Sequence, residues 1–341
     1  MSAGTFNLNK NWRILPLAWL AGWVGVSSAL AQVQPISGIM ASYDDVEDTS
    51  GDYSATGGGS VDFPAGTTYD VTFGAGSQNN LRLTGFEIGG GSFNFVLLAD
   101  IINLERVDNA NATGSLHIVL YEDYSVAGTS VALRPEYAGT MMESLRGSIV
   151  NRGADNVFAN AGDGNGNNNN IERIDYIFPD GFPVFNNIHQ RGFLVMDRGG
   201  NDRFKIAAIT ALGAGNRPTA FRDPVSVLET QWGDSGISVD TTVMRGYTEG
   251  GDVLHPSAVI TPQPLSGVYV TWQALGLQTN DYIYGYSLAG NDVSTNGADW
   301  TNVASSAVFP TNTSTGNEYG GLDLISGGMM FFESDLDVTL G

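Results

Sequence analysis

The chain has no cysteine, which excludes disulfides, thiolate metal sites and cysteine nucleophiles together. Histidine is almost as scarce. His117, His189 and His255 are the whole set, too few and too scattered for a tetrahedral zinc centre of the usual kind. Basic residues are few as well: 15 Lys and Arg face 36 Asp and Glu, a formal charge of −21. Such a balance excludes nucleic-acid binding through a general basic surface. Beyond the N-terminus no apolar run reaches the ~20 residues of a membrane-spanning helix, and no repeat of fixed period marks a solenoid or propeller.

What is present is glycine and short apolar runs. Gly supplies 45 of 341 residues, and 42% of the chain is hydrophobic, enough for a core and too much for wholesale disorder. Strand patterns recur at Val61–Val71, Leu81–Ile88, Phe93–Leu98, Leu116–Tyr121 and Ile171–Phe178. They continue at Phe193–Met196, Phe204–Ile209, Val225–Leu228, Ile237–Val243, Gly267–Trp272 and Tyr282–Leu288. Gly, Asn, Asp and Pro punctuate them at sandwich-like intervals. Only Tyr137–Val150 has helical spacing. The expected fold is all-β: an antiparallel β-sandwich of jelly-roll type with little helix. Two packed lobes divided near residues 155–170 are the alternative.

Residues 1–31 have the pattern of a secretory signal peptide. Lys10 and Arg13 precede the apolar stretch Ile14–Val26, and Ala29-Leu30-Ala31 offers the small-x-small cleavage pattern, leaving Gln32 first. The leader holds no acidic residue, so the processed region 32–341 keeps 36 acidic groups against twelve Arg and the single Lys205. An exported protein, extracellular or on the outer cell surface and without a transmembrane segment in its mature part, is the expectation.

Several motifs carry chemistry in other settings. Gly233-Asp234-Ser235-Gly236 matches the nucleophile segment of chymotrypsin-like proteases, yet no His stands in the context such a triad needs. The runs Gly57–Ser60 and Gly89–Gly91 lack the Lys-Ser/Thr of a phosphate loop. Carboxylates are plentiful, but no Asp/Glu pair is marked out for hydrolysis. Calcium is the best-supported ligand. Asp163, Asn165 and Asn167 alternate with glycines and are followed by Glu172, an oxygen-rich loop suited to a hard cation. It departs from an EF-hand at its sixth and twelfth places. A second candidate is the acidic run of Asp44, Asp45, Glu47 and Asp48. Third, Arg198-Gly199-Gly200-Asn201-Asp202-Arg203 has the make-up of a hairpin turn, or of a binding loop whose arginines pair with local carboxylates. The aromatics Tyr247, Tyr269, Trp272, Tyr282, Tyr284, Tyr286, Trp300 and Tyr319 form either a core or a sugar-stacking platform.

Six stretches carry a resemblance. They are Asn151–Phe158 (NRGADNVF), Asn170–Ile177 (NIERIDYI), Asp197–Thr210 (DRGGNDRFKIAAIT), Trp232–Ser238, Ile283–Leu288 with Asn291–Val293, and Gly320–Gly328 (GGLDLISGG). Over residues 151–328 the chain resembles an uncharacterised domain of exported bacterial surface proteins. The resemblance implies an extracellular location and a structural or adhesive role, and no reaction. The function expected first is therefore a non-catalytic secreted or cell-surface structural or adhesive β-protein, stabilised by calcium. Self-association and surface glycans are its candidate partners. A carbohydrate-binding module comes second and a secreted hydrolase third.

If calcium occupies the Asp163–Glu172 loop, millimolar calcium raises the melting temperature by several degrees, as native-state binding requires. The double variant Asp163→Ala, Glu172→Ala then loses that increment in calorimetry. Identical melting of the wild type in calcium and in chelator would make the loop an ordinary one.

Overall fold

The computed structural model describes residues 33–46, 53–107, 117–161, 169–246 and 254–334. The leader, the residues Asp163, Asn165 and Asn167 of the calcium candidate, Glu47 and Asp48, Tyr247, and the C-terminal run 335–341 lie outside them. The described chain is an all-β sandwich built mainly of antiparallel sheets, as the residue pattern leads one to expect.

The largest sheet has ten strands. Its order is β11 (Arg152–Ala154), β8 (His117–Glu122), β17 (Gly233–Gly246), β18 (His255–Thr271), β13 (Arg191–Arg198), β20 (Met329–Glu333), β6 (Gly91–Leu98), β5 (Asn80–Ile88) and β2 (Gly38–Asp44). The short β1 (Gln34–Pro35) pairs with β18 from the side. A six-stranded sheet runs β15 (Pro218–Phe221), β14 (Phe204–Leu212), β19 (Tyr282–Gly290), β12 (Ile171–Pro183) and β7 (Ile101–Arg106), with β16 (Val225–Val227) also on β14. A four-stranded sheet runs β3 (Ser54–Thr56), β4 (Thr68–Phe73), β10 (Ser130–Leu133) and β9 (Tyr124–Ala127), and here β4 and β10 pair in parallel. Strands from both sides of residues 155–170 meet in the same sheets: β8 pairs with β17, and β7 with β12.

The central strands of the large sheet are buried on both faces, which explains their unbroken apolar runs. Phe193 and Val195 of β13, Val268 and Val270 of β18, and Met330 and Phe332 of β20 face the main core. There they meet Ile174 and Tyr176 of β12, Ile206 and Ala208 of β14, and Tyr286 of β19. The alternate residues Leu194, Met196, Tyr269, Met329 and Phe331 face a second core with Leu83, Phe86 and Phe93. No separate layer covers that face; the sheet curls over it. In a flat sheet β5 would lie about 19 Å from β18, four strand spacings away. The rings of Phe86 and Tyr269 are instead 5.0 Å apart between centroids, and those of Phe86 and Phe331 4.9 Å. Isolated bridges between Arg82 and Ile149, Gly153 and Ile325, and Asp197 and Leu324 stitch the curl together. On the outer face of the six-stranded sheet Trp300 and Phe309 pack over Ala207 and Ala289.

Two sequence expectations change. Among the described residues α-helix forms only at α1 (Met141–Leu145), where the Thr140 hydroxyl and Glu143 carboxylate close a capping box. Arg146 is already extended and Gly147 takes φ +135°, so the predicted helix to Val150 is cut short. The run from Val61 becomes strand only at Thr68, and Val61 is 95% exposed. Met329–Phe332 lies inside its own sheet, between β13 and β6.

Gly285 lies between Ile177 and Ile209 with φ +128°, and an added Cβ would collide with the Tyr176 carbonyl. Gly285→Ala is expected to cost roughly 3 kcal/mol or more, strain and collision together. Gly128→Ala, at φ +63° in open space, should cost only about 1–2 kcal/mol. Urea titration separates the two. Equal losses would mean that β19 shifts freely against β12.

Candidate functional site

Charged residues interrupt several of the apolar strands, and most of them converge. Arg198 ends β13 on the face that carries Leu194 and Met196, so its side chain enters the curl of the large sheet. There its Nη2 donates to the carboxylates of Asp323 and, at 3.4 Å, Asp155, and its Nη1 donates to the Gln263 side chain. Asp323 also accepts from the backbone N–H of Asn156 at 2.9 Å. Asp155 accepts from the Asn156 side chain at 2.8 Å. Asp197 is held by backbone donors, Gly200 at 2.6 Å and Asp323 at 3.0 Å. Glu122, at the end of β8, accepts from the Thr241 hydroxyl, and its second oxygen has no partner among the described residues.

Asp202 differs from the rest. It is 3% exposed, and its Oδ1 has no hydrogen-bond partner among the described residues. The backbone fixes it: its carbonyl accepts from the Trp232 indole at 2.7 Å. Burial, then the neighbouring Asp197 carboxylate, raise its pKa well above the usual carboxylate range. Burial likewise raises Asp197 and Asp323, and pushes Glu122 up to about 8. Arg198 moves upward because Asp323, Glu122 and Asp155 together outweigh its own desolvation.

Asp155, Arg198, Asp202 and Asp323, with Thr315 and Asn317, line a cleft of about 290 Å³. A second cleft of about 290 Å³, bounded by Arg203, Glu229 and Glu318, shares Asn201 and Asn317 with the first. Elsewhere a cleft of about 460 Å³ lies between Gln78, Asp123, Arg134 and Asp240. Its charges answer one another: Arg134 approaches Asp123 to 3.8 Å, and the Tyr43 hydroxyl donates to the same carboxylate at 3.2 Å. Asp202 alone combines deep burial with an unanswered oxygen at a cleft wall.

The remaining sequence candidates fall apart in space. Asp44 ends β2 in an ion pair with Arg82, and Asp45 beside it is exposed. Glu172 lies in β12, on another sheet, 4% exposed. Both its oxygens accept from the Asn160 amide, at 3.0 and 3.3 Å, and burial pushes it up to about 7. Ser235 accepts from its own neighbour Ile237 at 3.1 Å, and Asp234 from Gly236 at 2.8 Å, so the protease-like string is a bulge at the start of β17, where the pairing register shifts between Asp234 and Ser238. Of the aromatics, Tyr269, Trp272, Tyr286 and Trp300 are core, while Tyr282 and Tyr319 are exposed. Among the described residues no three His, Cys, Asp or Glu side chains converge to hold a metal ion. No helix there is long and apolar enough to cross a membrane.

The sequence singled out Arg198 and Asp202, and three of the resembling stretches contain Asp155, Asp197 and Asp323. Glu122 was missed: the only sequence signal was an acid ending the apolar run Ile118–Tyr121, and the fold alone places Thr241 opposite it. No family model, no curated protein and no solved structure matches the chain.

Carboxyls raised by burial bind protons more tightly folded than unfolded. Their contribution to stability is complete below the unfolded value of about 4 and is lost as pH rises through about 8. The protein should therefore melt several degrees higher at pH 5.5 than at pH 8.5. Glu122→Gln should flatten that slope by stabilising the alkaline side, where a charge no longer has to be buried. A slope that is unchanged in the variant would remove Glu122 from the titration.

Proposed function

We propose that the chain is a non-catalytic, exported surface protein with a structural or adhesive role. The observation that carries the reading is how the cleft acids are engaged. Asp155 and Asp323 are both tied to Arg198, while Asp202 meets the Asp197 carboxyl and keeps an Oδ1 with no hydrogen-bond partner among the described residues. Hydrolysis of a glycosidic bond normally takes two acids, one to protonate and one to attack or activate water. One open carboxyl oxygen in a polar cleft is suited to holding a ligand. Export rests on the leader, and calcium on the Asp163–Glu172 sequence; both belong to the same proposal.

Cell fractionation with N-terminal sequencing, joined to binding of purified 32–341 to the envelope of the producing cells, tests it. The expected outcome is a mature chain beginning at Gln32, removed by protease from intact cells, and saturable envelope binding. An uncleaved intracellular product overturns the reading. So does turnover of a glycoside, ester or peptide substrate that Asp202→Asn abolishes.

A further inference from the structure

We propose that the paired clefts around Asp202 are a carbohydrate subsite, taking the hydroxyl groups of a neutral oligosaccharide. This rests on the adhesive reading and names the ligand class that it leaves open. Four observations meet here. Asp202 is 3% exposed, and its Oδ1 waits without a partner at the cleft wall. A buried polar atom left unanswered costs about 1–3 kcal/mol, which a ligand hydroxyl would recover. Around it the less buried lining includes the amides Asn156, Asn201, Gln263 and Asn317 and the Thr315 hydroxyl, beside Arg245, Ala258 and Ile260. Amides and hydroxyls donate and accept at once, as vicinal sugar hydroxyls do.

Continuity and an aromatic supply the other two. The clefts share Asn201 and Asn317, so they form one groove rather than two isolated hollows. Two residues beyond Asn317 on the same segment, Tyr319 is 46% exposed, an apolar ring with a polar tip. Drug-like pockets are lined chiefly by apolar and aromatic side chains; this lining is polar, and fits a polyhydroxylated ligand instead. A divalent cation fits less well, since Asp155 and Asp323 are committed to Arg198 and no three His, Cys, Asp or Glu among the described residues are placed to hold a metal ion. Asp202 hydrogen-bonds the neighbouring Asp197 carboxyl, and its unpartnered Oδ1 is left to accept from a sugar hydroxyl.

The test is affinity electrophoresis of the processed chain, 32–341, through gels containing soluble neutral polysaccharides of glucose, mannose, galactose or xylose. At least one should retard the wild type. Asp202→Ala and Asn317→Ala should each weaken retention about tenfold or more, the loss of a hydrogen bond to a polar ligand. Tyr319→Ala should weaken it too, whereas Tyr282→Ala, on another sheet, should not. Melting is recorded first, and the exposed Asn317 carries the test if Asp202 variants fail to fold. No retardation by any of the polysaccharides, with envelope binding intact, overturns the glycan site and leaves adhesion standing. Loss of envelope binding as well overturns both. Retardation insensitive to Asp202, Asn317 and Tyr319 places the sugar elsewhere. A calcium-induced melting shift that depends on Asp202, without retardation, replaces the glycan by a cation.

Discussion

One guanidinium organises this fold. Arg198 reaches from β13 to Asp155, just past β11, and to Asp323, on the segment that bridges both strands. Backbone bonds run alongside: Ala154 donates to Leu324, and Arg198 to Asp323. The ion pairs therefore stand where the curled sheet is joined to itself. A buried pair adds little to stability when compared with apolar groups of the same shape, but removing one partner strands a charge and costs about 3–5 kcal/mol. Arg198 acts accordingly as a registry device. It fixes which segments meet, and the two cores supply the free energy.

A second buried pair does the same for the six-stranded sheet. Arg173 and Asp175 alternate on one face of β12 and join through two contacts, 2.6 and 3.0 Å. Ser287 on β19 donates to Asp175 at 2.6 Å, and the guanidinium lies 5.0 Å over the Phe221 ring while donating to the Trp300 carbonyl. The only lysine after the leader, Lys205, is buried too, and its ammonium is held by the carbonyls of Asn291 and Val293. A chain so short of cations places Lys205 and three of its arginines, Arg152, Arg173 and Arg198, inside. Among the described residues they are outnumbered there by buried acids, Glu122, Asp155, Glu172, Asp175, Asp197, Asp202 and Asp323, so the interior itself carries the acidic bias of the chain.

Much of the architecture was legible because burial writes itself into strands. Clean runs such as Phe204–Ile209 and Phe193–Met196 announced strands at once, and their lack of alternation announced burial on both faces. The curl was not legible. It depends on Phe86 meeting Tyr269 across three intervening strands, and nothing local records that contact. Short edge strands such as β3 and β9 escaped for the opposite reason, having too few residues to show a period. At the site, Arg198 and Asp202 were visible as a turn with charges. Their partners Asp155 and Asp323 stood inside resembling stretches whose chemistry only the fold could assemble. Glu122 shows the limit: a single acid at a strand end looks like any surface residue until Thr241 is placed opposite.

Asp202 is the residue the fold has least use for. Asp323 and Asp197 each accept from a backbone N–H, Asp155 accepts from Arg198 and the Asn156 side chain, and Glu122 at least receives Thr241. Asp202 meets only another acid, Asp197, through its carboxyl, and its contribution to the turn comes from a main-chain carbonyl that any residue has. An asparagine would fill the same space, avoid the repulsion from Asp197, and leave no acid to be held neutral. Departures from local consistency that bring the fold no gain are expected at sites of function, where the missing partner is not part of the chain. In this molecule that departure sits at the wall of an amide-lined groove, and the missing partner has the size and polarity of the groove rather than of the core.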